Sequence, residues 1–118
     1  MEKEEIIKYW KDTSEDVNLK NILKIVKNFS ELLKKDFNIK GVYLFGSYVN
    51  GKYNEDSDID VAVVADNFSG DLIDDTFKLM KIRRNIDSRI EPHPFLLKDF
   101  NETNPFFKEI MNNNIKVA

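Results

Sequence analysis

Gly46, Ser47, Asp58 and Asp60 are the residues of this 118-residue chain whose types and spacing suit a phosphorylated ligand and a metal ion. Gly46-Ser47 ends the apolar run Val42-Tyr43-Leu44-Phe45, and a polar loop, NGKYNEDS, separates it from the acids that open the second run, IDVAVV. Glycine lets backbone approach a ligand closely, the N–H groups at the start of a helical turn attract phosphate, and the serine hydroxyl adds a hydrogen bond. Side chains two apart on a strand point the same way, so Asp58 and Asp60 share a face with Ala62 and Val64, while Ile59, Val61 and Val63 fill the other. Their Cα atoms then lie about 6.6 Å apart, close enough for both carboxylates to converge on one set of cations. Two bare carboxylates so placed repel, raising the pKa of at least one, and a divalent cation relieves the conflict. A lone Gly-Ser reads as a turn and a lone Asp-x-Asp as a solvated edge. The pair, at the ends of consecutive strands, reads as a site. The P-loop pattern GxxxxGK[ST] does not occur.

Composition narrows the metal. The chain has no cysteine, and its one histidine is His93, which excludes thiolate sites, disulfides and multi-histidine centres. Oxygen ligands remain, and these point to magnesium or manganese. A net charge of -3 argues against non-specific nucleic-acid binding. Lys20, Lys24, Lys27, Lys34 and Lys35 accordingly read as the solvated face of a helix. No apolar run approaches the roughly 20 residues that cross a bilayer, and the charged start MEKEEIIKYWKD is unlike a signal peptide, so the cytoplasm is the expected location.

The elements that must position these residues follow from periodicity. Residues 2–11 suit a short helix, and Asp12-Thr13-Ser14 a break, with Thr13 and Asp16 at capping-box spacing. A helix then runs to about Lys35, burying Leu19, Ile22, Leu23, Val26, Phe29, Leu32 and Leu33. Strands are expected over 39–45 and 58–65. A helix over 71–84 follows, with Leu72, Ile73, Phe77, Leu79 and Met80 in the core. Residues 86–91 alternate as a third strand, which Pro92 and Pro94 stop. Asn104-Pro105 enters a helix of about 106–113, and Ile115 to Ala118 supply a last strand. The reading is one domain over 1–118, with N-terminal helices over 1–38 and a core over 39–118. Its class is α/β (α+β): a small mixed sheet flanked by helices.

Gly46-Ser47, ten residues, Asp58, one residue and Asp60 match the GSx10DxD signature, and the chain resembles the nucleotidyltransferase superfamily related to DNA polymerase β. The LFGSY and SDIDVAVV contexts are similar to its minimal branch, and the resemblance spans Gly41 to Glu91. It implies a polymerase-β-palm-like fold. It also implies transfer of a nucleoside monophosphate from a nucleoside triphosphate, with ATP the favoured donor, to a hydroxyl, releasing pyrophosphate. Asp58 and Asp60 would hold two magnesium ions, with manganese an alternative, and Gly46 and Ser47 the triphosphate tail. Active members carry a third carboxylate on a neighbouring strand. Asp87 and Glu91 are the candidates, and Glu91, at the strand end, is preferred as the third catalytic and metal-binding acid. Arg89 meets either a phosphate or an acid. Lys52 reads as solvated, Tyr48 as packing and His93 as a structural loop residue.

Minimal relatives work with a second, helical protein, in one group as antitoxins that adenylylate a HEPN-type toxin. So short a chain implies such a partner or a homodimer to build the acceptor site. The alternatives are an antitoxin-type subunit that neutralises a HEPN-family partner, by modification or by binding alone, and a non-catalytic nucleotide-binding module.

Overall fold

The computed structural model describes residues 17–118. The helix expected over 2–11 and the cap at Thr13 and Asp16 lie outside the described residues. Helix α1 spans Val17–Asp36 and buries Leu19, Ile22, Leu23, Val26, Phe29 and Leu33, the three- and four-residue steps that one helical face requires. Leu32, on the flank of that stripe, is only half-buried. Strand β1 (Ile39–Phe45) leads into the short helix α2 (Ser47–Asn50), and β2 covers Ile59–Ala65. Helix α3 (Leu72–Arg83), β3 (Ile90–Leu96), a 3-10 turn (Leu97–Asp99), α4 (Pro105–Asn112) and β4 (Ile115–Lys116) complete the chain. No helix among the described residues is long and apolar enough to cross a membrane.

The sheet is mixed, in the order β3-β2-β1-β4, with β2 and β3 parallel and the other pairs antiparallel. A parallel pair needs a crossover connection, and α3 provides it. Val42, Leu44, Ile59, Val61, Val63, Ala65 and Ile90 pack against α1 and Leu79 of α3 in the main core. Each such valine, leucine or isoleucine side chain contributes about 1.5–3 kcal/mol on burial. Central strand β2 is covered on its other face too, since Ala62 and Val64 are also buried. An aromatic chain lies on that second face, with Phe100 5.6 Å from Tyr43, 5.2 Å from Phe95 and 4.9 Å from Phe107 between ring centres. The tail beyond β4 extends its pairing, because Val42 N–H donates to Ala118 O at 2.9 Å and Val117 N–H to Val42 O at 2.7 Å.

Two expectations are corrected. The third strand does not occupy 86–91 and is not stopped by prolines; it begins at Ile90 and runs through Pro92 and Pro94. Ile59 N–H donates to Arg89 O, whereas Ile90 O accepts from Arg83 on the opposite side, so even-numbered residues of β3 turn their backbone groups outward. Pro92 and Pro94 fall on that outer edge, where no ladder partner needs their missing N–H groups. Residues 86–89 form turns instead, held by Asp87 accepting from Arg89 N–H at 2.9 Å.

The second correction concerns α3. Leu79 is buried as expected, but Leu72, Ile73 and Phe77 are 66%, 82% and 53% exposed. The helix is oriented by Asp75, 3% exposed, whose carboxylate accepts from Ser69 N–H at 3.0 Å, Ser69 Oγ at 2.8 Å and Gly70 N–H at 3.1 Å. Asp75, Leu79 and Ile82 therefore face inward at helical spacing, and the other apolar stripe is left outside.

Candidate active site

Asp60 lies beside Phe45 of β1 on one side and Glu91 of β3 on the other, in a single cross-strand row. All three strands end or begin here. The pleat turns Asp60 away from α1, onto the face it shares with Ala62 and Val64. Asp58 sits one residue before β2 rather than within it, and is exposed.

Gly46 presses the turn against this row. Its φ of 77° and ψ of -148° are glycine geometry, and a Cβ there would lie 3.2 Å from Asp60 Cγ and closer still to Oδ2. The α2 turn is closed by Val49 N–H and Asn50 N–H donating to Gly46 O at 3.0 and 3.1 Å. Ser47 opens α2, directly after the glycine that meets Asp60. Tyr48 packs, as expected: it is buried and stacked on Tyr53, 4.7 Å between ring centres. Lys52 is exposed.

Glu91 meets both acids. Its carboxyl is held above the ordinary carboxylate range, first because partial burial removes some of its hydration, then by a hydrogen bond to Asp58 and the negative charge of Asp60, with His93 pulling the other way. Asp87 is placed differently. Its carboxylate accepts from Arg89 Nε at 3.0 Å and from the Arg89 terminal nitrogen at 2.8 Å, and this hydrogen-bonded pairing holds its pKa below the usual value. Asp87 and Arg89 therefore neutralise each other in the turn before β3, and Glu91 is the acid brought to Asp60.

His93 is the site residue that sequence reasoning misses. It belongs to β3, not to a loop, and its Nε2 lies 3.3 Å from Asp60 Oδ1. Its ring packs on Phe45 at 5.2 Å, which fixes its direction. The available signal is its two-residue offset from Glu91, which places both on one face once the strand is known to continue. One ligand atom each from Asp60, Glu91 and His93 lie within 4.8 Å of one another, and Asp58 stands outside this group, against Glu91. Among the described residues no lysine or arginine lies within 4 Å of Asp58, Asp60 or Glu91. Ligands at about 2.1 Å from an octahedral ion sit roughly 3 Å apart, so the donor set fits a divalent cation.

Comparison with known proteins identifies the family. Two proteins of Methanocaldococcus jannaschii, each named "putative protein adenylyltransferase", are similar in sequence. One is 30% identical over 92 residues, covering 71% of this chain and 92% of its own. The other is 47% identical over 45 residues, 36% of this chain and 45% of its own length. Among solved structures, a nucleotidyltransferase-like protein of Sulfolobus solfataricus superposes with a TM-score of 0.60 at 22% identity, over 83% of this chain and 80% of that one. A toxin–antitoxin structure with AMP-PNP gives 0.58 at 22% identity, over 78% and 72%. The family model "Polymerase beta, Nucleotidyltransferase" matches residues 27–118, which holds β1, the Gly-Ser turn, both aspartates and Glu91. The chain belongs to the polymerase beta nucleotidyltransferase family.

Proposed function

We propose that this chain transfers a nucleoside monophosphate, AMP from ATP, to a hydroxyl group on a partner protein, with magnesium as the metal. The observation that carries the reading is the Gly46 turn set against the paired acids Asp60 and Glu91. A glycine turn with a φ of 77° is pressed against Asp60, which lies beside Glu91 in the sheet, and neither acid has a basic partner within 4 Å among the described residues other than the His93 imidazole.

In this reading Asp58, Asp60 and Glu91 hold the divalent cation, which supplies charge neutralisation at the phosphates and at the attacking oxygen. Gly46 gives the triphosphate tail close backbone access, and the Ser47 hydroxyl donates to a phosphate oxygen. The acceptor oxygen bonds to the α-phosphorus as the α–β bridging bond breaks and pyrophosphate leaves. The hydroxyl proton passes to the Glu91 carboxylate, the acid that the strand register sets opposite Asp60. Positioning and neutralisation do most of the work in such transfers, so a small set of residues suffices.

A second chain completes the acceptor site in this proposal. A cavity of about 890 Å³ runs along the outer edge of β3, lined by Leu72 and Met80 of α3, His93 and Phe95, and Pro105 and Phe106 of α4. The exposed Leu72 and Phe106 support docking of a HEPN-type helical partner rather than an isolated protein. The AMP-PNP and the toxin–antitoxin assembly named for a protein of this fold support an adenine nucleotide and an antitoxin role.

The test uses ATP labelled in the α- or the γ-phosphate, magnesium, and the product of the neighbouring gene. Transfer of the α-label alone, abolished in Asp60→Asn, is the expected result. Equal labelling by the variant, or transfer of the γ-label, refutes it.

A further inference from the structure

We infer that His93 is a nitrogen ligand of the bound cation, and that this makes Mn²⁺ rather than Mg²⁺ the better-held ion. The inference rests on the metal part of the proposed function and adds a ligand to the carboxylates. In the register β2–β3, Glu91 lies opposite Asp60 and His93 opposite Ala62, so the imidazole approaches Asp60 diagonally along one face. The residue between, Ala62, is small, and the ring reaches over it to pack on Phe45. The ring is thus held by an aromatic neighbour, with Nε2 aimed at the carboxylate.

The spacing suits a shared ion. At 3.3 Å, Nε2 and Asp60 Oδ1 are at the long end of an N–H···O pair and near the separation of adjacent ligands on an octahedral cation. Glu91 closes the set, all three ligand atoms lying within 4.8 Å of one another. The charge balance points the same way: the imidazole is the one basic side chain among the described residues that comes within 4 Å of these acids.

The consequence is selectivity. Mg²⁺ takes oxygen ligands and keeps its water, whereas first-row divalent ions gain from imidazole nitrogen. A site that adds an imidazole to its carboxylates therefore binds Mn²⁺ more tightly than a carboxylate-only site would, with little added for Mg²⁺.

Because His93 is the only histidine in the chain, the test is unambiguous in untagged protein. Mn²⁺ is bound without nucleotide, and electron spin-echo modulation reads coupling to a directly coordinated nitrogen. The expected result is a ¹⁴N signal that changes to ¹⁵N on labelling histidine alone, a measurement that needs no mutation. His93→Gln is expected to remove the signal and weaken Mn²⁺ about tenfold or more, while Mg²⁺ affinity, read by competition, changes less than about threefold. Bound Mn²⁺ with no nitrogen coupling, or equal weakening of both ions by His93→Gln, overturns the inference and leaves His93 as a group that only orients Asp60. In that case Asp60→Asn still abolishes Mn²⁺ binding, and the proposed transferase site stands. If wild type and Asp60→Asn both fail to bind Mn²⁺, the metal site itself falls.

Discussion

Replacing Gly46 with alanine separates backbone strain from damage to the site. The φ of 77° with ψ of -148° lies close to a region that glycine alone occupies freely, so any side chain there costs about 1–3 kcal/mol. The added Cβ would also sit 3.2 Å from Asp60 Cγ and 3.3 Å from its Cβ, with Oδ2 nearer still, so the carboxylate must move. A misplacement of about 1 Å at a reacting centre reduces rate on the order of 100-fold. Gly51 is the control. It has a φ of 81°, but no atom lies within 4 Å of the place its Cβ would take, so Gly51→Ala carries strain without displacing Asp60. Both variants are expected to lower Tm by roughly 4 °C or more, measured by calorimetry. Only Gly46→Ala is expected to lose about 100-fold in α-phosphate transfer. Equal activity in the two variants would refute the claim that Gly46 is required by its contact with Asp60.

Glu91→Gln is expected to change the pH dependence of stability in metal-free protein. A carboxyl whose folded pKa is raised contributes stability that is complete below its unfolded pKa and is lost as pH rises through the folded value. Urea midpoints between about pH 4 and pH 8 should therefore fall less with rising pH in the variant, by under about 1 kcal/mol because Glu91 is solvent-exposed. Asp75→Ala leaves the Ser69 and Gly70 donors without their acceptor and is expected to cost about 2–4 kcal/mol in urea unfolding. A loss below about 0.5 kcal/mol would show that Asp75 does not hold the start of α3. Replacing Pro94, the partly exposed proline of the β3 edge, by alanine restores an outward N–H group there, and sedimentation should then show concentration-dependent self-association. A variant that stays in the wild-type association state would mean that the edge is protected by something other than proline.

Much of the site is legible from local pattern. The Gly46-Ser47 turn and Asp60 are readable because glycine geometry and two-residue alternation are properties of the backbone itself. Glu91 is harder, since Asp87 fits the same alternation in IDSRIE. What separates them is the bidentate pairing of Asp87 with Arg89, at 2.8 and 3.0 Å, which removes that acid from the site. His93 escapes a local reading for a related reason. Proline normally ends a strand, and only the edge position of β3 makes Pro92 and Pro94 harmless. The exposed stripe of α3 escapes it because Asp75, a charged residue, takes the inward position that hydrophobic periodicity assigns to Phe77 and its neighbours.

The sequence by itself determined the order of elements over the described residues, the buried face of α1, the turn at Gly46 and the oxygen-rich character of the site. These depend on short-range rules: side-chain period, glycine conformation and the absence of cysteine. Tertiary structure decided which strand lies next to β2, and so which acid and which nitrogen reach Asp60. That choice depends on sheet order and on where the free edge falls. Both are set by how α1 and α3 cover one face of the sheet, which no local window of sequence contains.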